Sequence, residues 1–160
     1  MNNFGANNEL KGTIFELTPE NYDKCQTIWD MKTHAKHAEY FYRQLIAGNR
    51  RIFVYEEDGV YLGEGALVFD QGDPEYTIPG KRVYLSRMIV APQRRGQGIG
   101  QKLLHHLFGV ARGLNYAEIS IGVDISNIGA RWLYEKNGFT QVIFVGEDAD
   151  GKYVKLLKTL

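Results

Sequence analysis

The chain has 160 residues, enough for one domain with its own hydrophobic core and too few for two of ordinary size. Its 19 Lys and Arg residues balance 19 Asp and Glu, so the whole-chain positive field of a nucleic-acid binder is missing. The single cysteine, Cys25, excludes an intramolecular disulfide framework and a multi-cysteine zinc site, and fits a reducing, cytoplasmic compartment.

Residues 1–12, MNNFGANNELKG, carry neither a basic nor an apolar targeting region and read as a flexible arm ahead of a single domain over 13–160. Nowhere does the chain approach the roughly 20 consecutive apolar residues of a membrane span. TIFEL, Thr13 to Leu17, predicts strand one, and Thr18-Pro19 then opens a helix with Thr18 as its cap. Asn21 to Ala47 contains no Pro or Gly and has apolar residues at helical spacing, which predicts one broken helix or two short ones ending at Gly48. Around Asp58-Gly59, RIFVYEEDGVYLGEGALVF predicts a tight hairpin of strands two and three. Asp70 to Lys81 is dense in turn residues and forms a loop before strand four, RVYLSRMIV.

The glycine cluster APQRRGQGIG follows, and beyond it GQKLLHHLFGVARGL has the apolar spacing of an amphipathic helix. His105 and His106 fall on the surface of that helix. AEISIGV predicts strand five, and SNIGARWLYEKNG a helix capped by Ser126 or Asn127 and closed by Gly138. FTQVIFV and YVKLLKTL predict strands six and seven. A strand, helix, strand crossover makes strands four and five parallel, while the hairpins on either side are antiparallel.

Gly96, Gly98 and Gly100 therefore lie between a strand and a helix, where the first unpaired helical N–H groups and the helix dipole favour an anion. Without a Cβ, these residues let a phosphate approach the backbone, and Arg94 and Arg95 can add charge from the rim. A diphosphate is the ligand expected. The order G-x-G-x-G differs from the dinucleotide fingerprint, and the Gly-Lys-Ser/Thr of a P-loop is absent. Downstream, Asn127 and Tyr134 are seven residues apart and fall within about 20° of one another on a helix of ~3.6 residues per turn, with the small Ala130 between them.

VAPQRRGQGIG resembles the acyl-CoA signature Q/R-x-x-G-x-G/A of the GNAT superfamily of acetyl-CoA-dependent N-acetyltransferases, in two registers, Gln93 to Gly98 and Arg95 to Gly100. NIGARWLYEKNGF, Asn127 to Phe139, resembles the family's second signature, and the resemblance runs from about Thr13 to the C-terminus. It implies an α/β fold with a GNAT-like mixed, mostly antiparallel central sheet of about seven strands, flanking helices and a splayed parallel pair of strands four and five. It also implies that acetyl-CoA lies beside the backbone of Met88, Ile89 and Val90. Its phosphates would fall on the loop of Gln93, Arg94, Arg95, Gly96, Gln97, Gly98, Ile99, Gly100 and Gln101, and its pantetheine near Asn127 and Ala130.

Tyr134 is then the acid that protonates the thiolate. Many family members carry a glutamate on strand four near the position of Tyr84, and this strand has no carboxylate. Glu64 on strand three is the alternative base, with Tyr84 and Ser86 available for a water relay, and Asp124 a further candidate. The acceptor amine is expected between THAKHAEYFYRQ and DQGDPEYT, where Asp70, Asp73 and Glu75 would attract a cation and Phe41 and the tyrosines an apolar group. His34 and His37, with no third ligand at a recognisable spacing, do not make a metal site. A non-catalytic acyl-CoA-binding or sensing module and an interaction domain stay open as other readings. So do the acceptor and the oligomeric state, a homodimer included.

Overall fold

In a computed structural model of the chain, residues 9–160 are described. Strand β1 (Thr13–Glu16) leads into a 3₁₀ helix, Pro19–Thr27, and then helix α1 (Ala35–Ile46). Strands β2 (Arg50–Glu57), β3 (Val60–Val68) and β4 (Arg82–Val90) follow, then a 3₁₀ turn at Pro92–Arg94 and helix α2 (Ile99–Gly113). Strand β5 (Glu118–Asp124), helix α3 (Ile128–Lys136) and strands β6 (Gln141–Asp148) and β7 (Gly151–Thr159) complete the chain. All seven strands form one sheet in the order β1-β2-β3-β4-β5-β7-β6, antiparallel except for the β4/β5 pair. Among the described residues, no helix is long and apolar enough to cross a membrane.

Local chemistry accounts for most of this order. Asp58 and Gly59 both take positive φ, 50° and 79°, the geometry of a two-residue hairpin turn matched to strand twist. Asn127 caps α3, its Oδ1 accepting from the Ala130 N–H at 3.2 Å, and this chooses between the two expected caps. Side-chain alternation in β2 splits the core in two: Phe53 faces α2 and α3, whereas Ile52 and Val54 face the opposite side. On the first face Leu104, Leu107, Phe108 and Ala111 of α2 pack on Ile119 and Ile121 of β5. On the second, Leu17, Tyr22, Cys25 and Ile28 pack beneath α1.

Three expectations are corrected. The helix expected after Thr18 is 3₁₀, and the Thr18 side chain caps no backbone N–H but accepts from Asn21 Nδ2 at 3.2 Å. Strand six begins at Gln141 instead of Phe139: Phe139 is fully buried against Phe108 and Tyr134, each 5.8 Å between ring centroids, and leaves the ladder to reach the core. His106 is half-buried against Phe53, at 5.2 Å, and only His105 lies on the open surface of α2. Of the expected arm, residues 1–8 lie outside the described residues. Leu10 packs beside Tyr55, Ile99 and Leu103, and the Gly12 N–H donates to the Tyr55 hydroxyl at 3.0 Å.

What positions the site is the parting of β4 from β5. The two strands pair only over Arg82–Tyr84 and Glu118–Ser120, after which β4 stays with β3 as far as Val90 and β5 with β7 as far as Asp124. A second irregularity lies in β4 itself. Gly65 opposes Met88 and Ala66 opposes Ser86, leaving Arg87 as a bulged residue with φ 69°, a left-handed conformation a non-glycine side chain seldom adopts.

Candidate active site

The V between β4 and β5 is a cleft of about 590 Å³, walled by Tyr84, Arg87 and Met88 of β4, Gly122 and Asp124 of β5, and Asn127, Ala130 and Tyr134 of α3. Since β4 has lost its β5 partner beyond Tyr84, its edge from Leu85 to Met88 faces this space without a strand partner. An extended ligand with amide groups can lie there as an added strand. Met88, Asn127, Ala130 and Tyr134, expected to meet on one ligand, do meet on this cleft. The side chains of Ile89 and Val90 pack toward the second core and the Tyr55 cluster, which leaves only their backbone for a ligand.

Beyond the end of β4, the glycine loop is built as a cradle. Gly96 and Gly98 take φ 75° and 92°, and Gly98 sits left-handed as the residue before α2. No Cβ clash dictates glycine at these two places; the backbone sign does. The N–H groups of Gly96 through Gln101 have no acceptor among the described residues, and the next, that of Lys102, bonds the Gly98 carbonyl at 3.1 Å. Several bare donors at the positive end of a 15-residue helix make a site for a diphosphate.

The side chains around the cradle act differently from expectation. Arg94 was expected to reach a phosphate from the rim. Instead its guanidinium grips the Glu57 carboxylate of β2, with Nη2 at 3.1 Å from Oε1, while its Nε donates to Gln97 Oε1 at 2.7 Å. This pairing holds the Glu57 carboxyl down to about 2, chiefly through Arg94 with help from the Tyr55 hydroxyl. Arg94 is thus an anchor of the loop. Arg95 donates through Nε to the Val90 carbonyl at 3.0 Å, and Gln93 is exposed. Ile99 is buried in the core, and the Gln101 amide exchanges hydrogen bonds with the Asn137 side chain at 2.7 and 2.8 Å.

Tyr134 is 7% exposed, its ring edge-on to Phe139 and its hydroxyl without a hydrogen-bond partner among the described residues. The remaining exposure is on the cleft. Burial, and next the nearby Tyr84, push its pKa up to about 12, so the hydroxyl stays a proton donor at every physiological pH. Glu64 lies elsewhere. It projects from β3 into a small separate cavity with Tyr22, Phe41 and Arg50, where Arg87 Nε donates to its Oε1 at 3.3 Å and Oε2 has no hydrogen-bond partner among the described residues. Burial raises its pKa, against the pull of the Arg87 and Arg50 charges.

A sequence profile of the acetyltransferase (GNAT) family matches residues 14–139. The chain belongs to this family. Over 76 residues it is 37% identical to N-alpha-acetyltransferase 40 of Saccharomyces cerevisiae, a stretch that makes up 43% of this chain and 27% of that protein. The chain thus spans only about a quarter of that curated relative's length. A GNAT acetyltransferase of Elizabethkingia anophelis, solved with acetyl-CoA bound, superposes with a TM-score of 0.70 at 18% identity, covering 95% of this chain and all of that one. The ribosomal-protein-S18-alanine N-acetyltransferase of Escherichia coli also superposes with a TM-score of 0.70, at 20% identity over 92% of this chain and 93% of that one. At these identities the superpositions establish the shared fold. The family is the one that the two signatures resemble.

The GNAT fold of this chain carries two cleft residues, Arg87 and Lys155, that sequence reading gave no place, and sets a third, Tyr76 of the expected acceptor loop, in the cleft wall. Arg87 packs its guanidinium 3.9 Å from the Trp29 ring centre and 5.3 Å from that of Phe41, so the bulge is clamped from above by aromatic faces and from behind by Glu64. Lys155 of β7 is 6% exposed, and its Nζ donates to Asp73 Oδ2 at 2.7 Å and Glu75 Oε2 at 2.9 Å. Burial works against its charge, and the two carboxylates outweigh burial and hold its pKa above the ordinary lysine value. Asp73 and Glu75, expected to draw in a cationic amine, are therefore already occupied by an internal one. Asp70 accepts from the Gly72 N–H within its own turn. Tyr76 is the third; its ring packs on that of Tyr84, 4.3 Å between centroids and tilted by 38°, and its hydroxyl lies against Gly122.

Proposed function

We propose that this acetyltransferase passes the acetyl group of acetyl-CoA to a primary amine that enters the cleft, by direct attack while both substrates are bound. The N–H groups of Gly96 to Gln101 hold the diphosphate, and the unpaired edge of β4 at Met88 holds the pantetheine amides. Ala130 leaves room for that arm, and the free Asn127 amide N–H₂ donates to it. As the amine nitrogen bonds to the thioester carbon and the carbon–sulfur bond breaks, the Tyr134 hydroxyl gives its proton to the departing thiolate. One observation carries this reading: a strand edge without a β5 partner and the Tyr134 phenol line one cleft, and the bare N–H cradle follows directly on the end of that strand.

The amine must lose a proton before or during attack. Glu64 takes it, through water admitted past Arg87, because its Oε2 has no hydrogen-bond partner among the described residues and its raised pKa suits a base. Asp124 is the second reading, on the observation that it stands directly in the cleft wall, which Glu64 does not. Thiol release from acetyl-CoA is measured over a panel of small amines and short peptides. The peptides present α-amines because the yeast relative is named an N-alpha-acetyltransferase. On the best acceptor, Glu64→Gln is expected to lose about 10²- to 10⁴-fold in kcat at unchanged acetyl-CoA affinity. Loss in Asp124→Asn alone transfers the role to Asp124. Acetyl-CoA binding with no thiol release on any amine would make the chain an acyl-CoA-binding module instead.

A further inference from the structure

We infer that Tyr76 sets the length of acyl group this enzyme accepts, by closing the narrow end of the cleft so that acetyl fits and longer chains do not. The inference rests on acetyl-CoA lying in the cleft as proposed above. The mouth is at Val90 and Asp124, beside the cradle, and the vertex is where β4 and β5 rejoin at Tyr84 and Ser120. A thioester anchored at the cradle and running beside Met88 points its acyl group toward that vertex. Continuing the β4/β5 register places Gly122 opposite Ser86, two residues short of Met88 and so about 7 Å or less along the strand. An acetyl group in van der Waals contact fills that length. Each further methylene drives the chain into whatever stands at Gly122.

Tyr76 stands there. Its hydroxyl occupies the place a Cβ on residue 122 would need, so Gly122 is the residue that lets the ring enter between the strands. The hydroxyl has no hydrogen-bond partner among the described residues, and Tyr76 borders the cleft. A size filter must also be rigid, and Tyr76 is held on every side. Its ring packs at a tilt on Tyr84, 4.3 Å between centroids, and lies under Lys155 Nζ at 4.6 Å, its carbonyl accepts from Ser120 Oγ at 2.6 Å, and its N–H donates to the Asp73 carbonyl at 2.9 Å. The Lys155 pairing with Asp73 and Glu75 pins the same loop to β7. Yielding to a longer chain would break several of these contacts together, which makes Tyr76 a specificity residue and leaves proton transfer to others.

Calorimetric titration of the full chain with CoA, acetyl-CoA, propionyl-CoA and hexanoyl-CoA tests this without an acceptor amine. Wild type is expected to bind hexanoyl-CoA about ten- to a hundredfold more weakly than acetyl-CoA, the cost of overfilling a packed site. Tyr76→Ala should bring the two within about threefold while leaving free CoA unchanged. Tyr76→Phe, which keeps the ring and its stacking, should relieve discrimination against propionyl-CoA only, so the test survives if the alanine variant fails to fold. Ratios between acyl-CoAs do not depend on the fraction of folded protein. Equal binding of acetyl-CoA and hexanoyl-CoA by wild type, or unchanged ratios in the variants, overturns the filter alone. Failure of wild type to bind acetyl-CoA overturns the reading of the cleft itself.

Discussion

Replacing Tyr134 with phenylalanine separates chemistry from packing more cleanly than any other change in the cleft. The ring is 7% exposed and packs edge-on to Phe139, and phenylalanine keeps both that burial and that contact. The hydroxyl bonds no protein group among the described residues, so its removal leaves no donor or acceptor stranded. Stability should change by no more than about 0.5 kcal/mol, or about 2 °C in Tm for a chain of this size. Turnover should fall about 10²- to 10⁴-fold, equivalent to about 3–5 kcal/mol of lost transition-state stabilisation.

The pH dependence follows from the same burial. With the folded pKa raised from 10.0 to about 12, the neutral phenol is the favoured form, and its contribution to stability is complete below pH 10 and lost as pH rises through about 12. Between pH 7 and 9, wild type and variant should therefore melt in parallel, and kcat of wild type should show no alkaline fall from Tyr134. The assay is thiol release on the best acceptor of the amine and peptide panel, with differential scanning calorimetry alongside. Retention of wild-type kcat within threefold by Tyr134→Phe would remove Tyr134 from the chemistry. A Tm loss beyond 5 °C, roughly 1–2 kcal/mol for a chain of this size, would show that its hydroxyl has a structural partner instead.

Gly98→Val forces a β-branched side chain into φ 92° at the start of α2, which costs about 1–2 kcal/mol and turns the cradle N–H groups. Acetyl-CoA affinity measured by calorimetry should fall at least tenfold, and wild-type affinity in this variant would refute the cradle. Glu57→Gln weakens the grip on Arg94 and so loosens the loop. Because Arg94 lowers the Glu57 pKa from its ordinary 4.5 to about 2, the contribution of the pair is present above pH 4.5 and lost as pH falls toward 2. The Tm difference between wild type and Glu57→Gln should be largest above pH 5 and vanish near pH 2. A difference that holds constant down to pH 2.5 would contradict the pairing.

How far the sequence reveals this site depends on the range of the interactions involved. Elements set by neighbouring residues were legible: the Asp58-Gly59 turn, the Asn127 cap, the amphipathic period of α2 and the glycine loop ahead of it. The splay of β4 from β5 came only through the family signatures, since nothing local in RVYLSRMIV tells a paired strand edge from a bare one. Arg94 looked like a phosphate ligand because its partner, Glu57, lies 37 residues away. Nothing local marks Lys155 in YVKLLKTL as more than a polar strand position, yet β7 lies inside the sheet between β5 and β6 and buries it. Gly122 did carry a signal, a lone glycine inside a strand, which marks close approach by another group. That the group is Tyr76, 46 positions earlier, is visible only in three dimensions.

The central claim is that the loop before α2 and the cleft beside it hold one molecule of acetyl-CoA in a single pose. The crystal structure of the acetyl-CoA complex tests it directly. The diphosphate oxygens should lie at hydrogen-bond distance, about 2.7–3.2 Å, from N–H groups between Gly96 and Gln101, with the sulfur within reach of the Tyr134 hydroxyl. Density for the coenzyme in the depression formed by Trp29, Met31 and Pro92, with the cradle and the cleft left to solvent, would contradict the account.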